Sequence, residues 1–66
     1  MNITINDVPL TLPDGTMLSE ALAVKDIKPQ GIATAVNGKV IPSTQRETTR
    51  LYDGDKIVII KAFYGG

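Results

Sequence analysis

Two glycines, Gly65 and Gly66, occupy the last two positions of a 66-residue sequence, and no side chain upstream offers a better candidate for chemistry. With glycine at about 7% of residues in average proteins, a glycine pair at a fixed position arises by chance roughly once in 200 chains. Gly15, Gly31, Gly38 and Gly54 each sit where a turn or a cap is expected, whereas Gly65 and Gly66 follow the last strand pattern with no turn to make. Backbone without side chains can thread a slot too narrow for other residues. A tail of this kind is what a chain needs if it must thread a narrow slot in another protein's active site and present its carboxylate there. The rest of the inventory points the same way, because histidine and cysteine are both absent. A Ser-His or Cys-His triad, thiolate metal sites and catalytic zinc on histidine are excluded by that absence. Asp53 and Asp55 flank Gly54 but lack the further oxygen ligands that calcium wants, so they read as turn formers and no metal site is expected.

The length predicts a single domain, 1–66, and a chain this short buries only about 60% of the surface that its unfolded form exposes. Seven basic residues balance seven acidic ones, which argues against nucleic acid or anionic lipid as a partner. The longest apolar run, Ile57-Val58-Ile59-Ile60, is far too short to span a bilayer. Residues 1–15 lack a basic start followed by an apolar segment. A soluble, cytoplasmic protein is the expectation.

The elements that must hold the tail follow from periodicity. Ile3 and Ile5, then Val8, Leu10 and Leu12, alternate with polar residues or proline, the period of half-buried strands. A two-residue loop at Asn6-Asp7 sets Ile5 opposite Val8, Ile3 opposite Leu10 and Met1 opposite Leu12, with every apolar residue on one side. Pro9 cannot donate to a ladder, so its strand belongs at a sheet edge or turns that position away from its neighbour. Pro13-Asp14-Gly15 turns the chain, and Thr16 is expected to cap a helix from Met17 to about Lys25. Its apolar stripe is Leu18, Ala21 and Leu22, widened by Met17 and Val24, and Pro29 stops it from continuing. Ile32 to Val36, Asn37-Gly38, and Lys39 to Ile41 read as a hairpin with a type I′ turn. Ser43 to Arg50 is polar and aperiodic and reads as a crossing loop. Lys39, Arg46, Arg50 and Lys61 read as solvated surface. Asp53-Gly54-Asp55 turns into Lys56 to Phe63, whose four consecutive β-branched residues predict a strand covered on much of both faces, and hence a central one.

This series of strand, strand, helix, strand, strand, loop and central strand resembles the β-grasp fold of the ubiquitin superfamily, an α+β architecture. The resemblance implies a mixed sheet of four to five strands under one short helix, with the last strand parallel to the first. Asp14-Gly15-Thr16, Ala35-Val36-Asn37-Gly38-Lys39-Val40-Ile41-Pro42, Asp53-Gly54-Asp55-Lys56-Ile57 and Gly65-Gly66 appear in the order and at the total length of the ThiS sulfur carriers of thiamin biosynthesis. The chain is similar to that family along essentially its whole length. It departs from the pattern at Arg46, where some relatives carry a large apolar residue, and at Phe63-Tyr64, bulkier than the residues common before the diglycine.

The resemblance implies a carrier and co-substrate with no catalytic residue of its own. Its Gly66 carboxylate, at the end of a flexible tail of about 64–66, is adenylated by a ThiF-like enzyme that uses ATP and magnesium; the carrier itself binds no cofactor. Sulfur from a donor protein then displaces AMP, and the resulting thiocarboxylate supplies a ThiG-like thiazole synthase. One helix can cover only one face of the sheet, so Val58, Ile60, Phe63 and Tyr64 are the expected partner-docking residues. Three other readings share parts of the pattern: the small subunit of molybdopterin synthase, a ubiquitin-like modifier forming isopeptide bonds, and a TGS-like binding module.

Overall fold

A computed structural model of the protein describes residues 1–61. Five strands and one helix follow in the order β1 (Asn2–Ile5), β2 (Val8–Thr11), α1 (Leu18–Val24), β3 (Ile32–Val36), β4 (Lys39–Ile41) and β5 (Lys56–Lys61), with a 3-10 turn at Ser43–Gln45 before β5. The sheet order is β2-β1-β5-β3-β4. β5 lies parallel to β1 and antiparallel to β3, so the expected mixed α+β sheet and the central place of the last strand are both present.

Turn chemistry sets both hairpin registers. Asn6 and Asp7 take φ of 49° and 67°, and Asn37 and Gly38 take 52° and 82°. These are the positive values that a type I′ turn requires to match strand twist. Ile5 pairs with Val8 and Ile3 with Leu10, as the alternation predicts, and Pro9 falls on the edge strand β2. Val8 keeps the expected place opposite Ile5 but is half exposed, on the outermost strand of the sheet.

The helix begins one residue later than Thr16 would set it. Thr16 instead donates its hydroxyl to the Pro13 carbonyl at 2.7 Å, and its own carbonyl accepts the Leu51 amide. Met17 becomes the N-cap, with its amide held by the Glu20 carboxylate at 3.0 Å. Leu18, Ala21 and Leu22 are buried as the stripe predicts, but Val24 is exposed. At the other end Asp26 adopts φ 55°, the Asp26 amide bonds Ala23 and the Ile27 amide reaches back to Leu22. This is a Schellman closure with aspartate where glycine is usual.

The core lies between α1 and one face of the sheet, built from Ile3, Ile5, Leu12, Leu18, Ala21, Ile41, Leu51 and Ile57. Arg46 is a correction to the sequence reading. It is only 5% exposed, and it donates to Thr34 Oγ1 at 3.2 Å and to the carbonyls of Pro29 and Ile32 at 2.8 Å each. Its polar segment reads as surface, but the crossing loop is hydrogen-bonded to the first turn of α1, where the Thr49 carbonyl accepts the Leu18 amide, and the Arg46 side chain turns inward. The Arg46 carbonyl in turn accepts the Ser19 amide.

Candidate functional site

The site expected from the sequence has two parts, a tail and the strand face from which it departs. Gly65, Gly66, Phe63 and Tyr64 lie outside the described residues. The strand that leads to them is β5, and its surroundings are well defined.

β5 is held by β3 as far as Lys61 and, on its other side, as far as Ile59. Toward β3 the pairing runs unbroken from Val36 opposite Ile57 to Ile32 opposite Lys61. Toward β1 the Thr4 amide bonds the Asp55 carbonyl at 3.1 Å and the Asn6 amide bonds the Ile57 carbonyl at 2.9 Å. There β1 turns away, and the Asn6 side chain continues the ladder. Its Oδ1 accepts the Ile59 amide at 2.8 Å and its Nδ2 donates to the Ile59 carbonyl at 3.3 Å. A primary amide presents the same donor and acceptor as a peptide group, so it substitutes for one more residue of strand. Asn6 therefore has two tasks, a turn with positive φ and the support of β5. Sequence reasoning found the first, while the second depends on a partner 53 positions away.

The entry to β5 is fixed by carboxylates. Asp53 Oδ1 accepts the Asn2 amide, and Asp55 accepts the Tyr52 amide at 2.9 Å and Asn37 Nδ2 at 2.9 Å. Asn37 Oδ1 completes this link by accepting the Lys56 amide at 3.0 Å. Both aspartates therefore act in the turn, as their spacing around Gly54 predicts.

Ile57 and Ile59 face the helix, and the opposite parity puts Val58 and Ile60 on the open face of the sheet. Val58 is 43% exposed and Ile60 is 61% exposed. Ala35 stands beside Val58 and Ala33 beside Ile60, while Val40 lies across Ala35 on β4 and is 68% exposed. The short alanine side chains leave the three branched ones standing above the β3 surface. Two expectations from the sequence are thereby separated. β5 is central, but only one of its faces is covered, and Val58 and Ile60 share the other. Val40 belongs to the same patch, which the sequence alone did not reveal because its strand partners were unknown.

Comparison with known proteins gives concordant results. The family model described as the ThiS family matches residues 2–66. The sulfur carrier protein ThiS of Escherichia coli (strain K12) is 30% identical over 66 residues, all of both chains. A crystal structure of a thiamine biosynthesis protein (ThiS) from Geobacter metallireducens superimposes with a TM-score of 0.81 at 29% identity, covering 100% of this chain and 99% of that one. A ubiquitin-like protein from the archaeon Caldiarchaeum subterraneum shares the fold at a TM-score of 0.50 and 20% identity, over 97% and 96% of the two chains. The strand order, the parallel β1–β5 pair and the family match over nearly all positions lead to one assignment: the chain belongs to the ThiS family.

Proposed function

We propose that the chain is a sulfur carrier of thiamin biosynthesis whose main-chain carboxyl at Gly66 is the group that is loaded. The observation that carries this reading is the family match, which runs through Gly65 and Gly66. A carboxylate is a poor acyl donor because its charge repels a nucleophile and oxide is a poor leaving group. In the proposed first step the Gly66 carboxylate attacks the α-phosphorus of ATP in a ThiF-like enzyme, and pyrophosphate departs. Magnesium and cationic groups of that enzyme stabilise the phosphate charge. In the second step a hydrosulfide-level sulfur from a donor protein adds to the acyl carbon and AMP leaves, giving the thiocarboxylate. The sulfur anion is softer and more nucleophilic than oxygen, which suits transfer to a ThiG-like thiazole synthase. The carrier contributes position and no acid or base. This agrees with a sequence that contains neither histidine nor cysteine.

Val58 and Ile60 on the open face, with Phe63 and Tyr64 further along the chain, are the proposed docking residues for both enzymes. The exposed valine and isoleucine side chains on a paired strand support this role. An apolar patch on a rigid strand docks without first being ordered.

Intact mass spectrometry after incubation with ATP, a ThiF-like enzyme and a sulfide source tests the chemistry. The expected product has gained the mass of one sulfur less one oxygen, and deletion of Gly66 abolishes the gain. Gly65→Val should block loading, with circular dichroism run beside it to show an intact domain. Val58→Asp and Ile60→Asp should each lower the yield of thiocarboxylate in a folded protein; unchanged yields from both would remove the sheet face from the proposal.

A further inference from the structure

The buried guanidinium of Arg46 takes no part in the reading above, and its environment is unusual. Arginine carries five N–H donors. Three are used, by Nε on Thr34 Oγ1, by Nη1 on the Pro29 carbonyl and by Nη2 on the Ile32 carbonyl. One N–H on each terminal nitrogen is left over. All three acceptors are neutral, and among the described residues no carboxylate comes within ion-pair distance. A charge withdrawn from water without a counter-ion is costly, and the usual remedy is a paired anion.

Arg46 also lines a cleft of about 280 Å³ between α1 and the crossing loop, together with Leu22, Ala23, Ile27, Pro29 and Gln30. The acceptor of the Nη1 bond, Pro29, belongs to the same lining, which places the charged end of the side chain at this wall. Apolar walls around a few polar groups characterise small-molecule sites, which run from about 300 Å³ upward. The size therefore suits a compact ligand.

We propose that this cleft binds a small aliphatic monocarboxylate, with its carboxylate on the free Arg46 donors and its short chain against Leu22, Ala23 and Ile27. Guanidinium and carboxylate match as a fork, and a chain of four or five carbons fits within the cleft. Glu47 lies at the same cleft and is exposed, so its charge opposes the ligand from the rim and limits affinity. The bound acid links helix to crossing loop and stabilises the folded domain by mass action.

The test is a titration of the ¹⁵N-labelled protein with butyrate, read from amide shifts, with butyramide and sodium chloride run in parallel. Butyrate should give saturable shifts at Ser19, Ala23, Gln30 and Ser43 and raise the thermal midpoint by about 5 °C at saturation. Butyramide should bind at least about tenfold more weakly, because it lacks the charge that the guanidinium fork recognises. Glu47→Gln should tighten butyrate binding about two- to fivefold by removing a like charge near the rim. Arg46→Met should abolish binding; should that variant unfold, the butyramide and Glu47→Gln arms still decide. Equal binding of acid and amide, linear shifts without saturation, or an unchanged affinity in Glu47→Gln would each overturn the proposal.

Discussion

Two threonines, on the strands to either side of β5, show how a hydroxyl can either hold a structure or burden it. Thr34 is fully buried, donates to the Ile41 carbonyl at 3.0 Å and accepts from Arg46 Nε. Replacing it by valine keeps the shape but strands one donor and one acceptor. Thr34→Val should therefore destabilise the domain by about 1–3 kcal/mol in urea unfolding. Thr4 is the opposite case, since its hydroxyl is buried with no hydrogen-bond partner. Thr4→Val removes an uncompensated desolvation cost and should be neutral or stabilising by up to about 1 kcal/mol. The identical substitution thus changes sign between β1 and β3, and a destabilised Thr4→Val would show that this hydroxyl has a partner in solution. Neither role was legible from the sequence. A threonine in a strand pattern reads only as a strand residue, and its partners come from the crossing loop and from β4.

At the scale of elements, short-range signals were readable and long-range ones were not. Asn37-Gly38 announced its hairpin because few dipeptides accept two positive φ values in succession. Alternation gave the pairing of β1 with β2, and the Leu18, Ala21 and Leu22 stripe gave the buried side of α1. The helix start was misplaced because Thr16 is drawn into a pairing with Leu51, and Leu51 itself is in the core although it follows a polar run. Arg46 was assigned to the surface for the same reason. A segment with no periodicity does not indicate which of its side chains another element will cover. The turns also carry residual strain. Asp7 and Asp26 hold φ of 67° and 55°, values that glycine adopts without the Cβ penalty. Asp7→Gly and Asp26→Gly should each stabilise by roughly 0.5 kcal/mol, the relief being partly offset by the greater freedom of glycine in the unfolded chain. Paired urea melts measure this directly, and a loss of stability in either variant would contradict the strain argument.

Over the whole molecule, both hairpins depend on β5, since they flank it and do not pair with each other. Ile57 is the residue of that strand most completely enclosed, at 1% exposure. Ile57→Ala should cost about 2–5 kcal/mol, a large share of the total for a small domain. Val58→Ala, one position along and on the open face, should cost well under half as much. Comparable losses from the two would mean that the open face is covered in solution. The tail at Gly65 and Gly66 was legible from the sequence as a candidate, because its argument rests on composition and position. The open patch was legible only in part, since Val58 and Ile60 declared themselves by parity but Val40 required the register of two further strands.

The placement of β5 between two hairpins that precede it also bears on biosynthesis. A ribosome delivers β1 to β4 first, as two ribbons whose shared neighbour is still inside the exit tunnel, and an isolated two-stranded hairpin is marginal in water. The sheet can close only after Lys61 has emerged. The face that carries Val58 and Ile60 is therefore the last part of the sheet to be finished, however early the two ribbons begin to form.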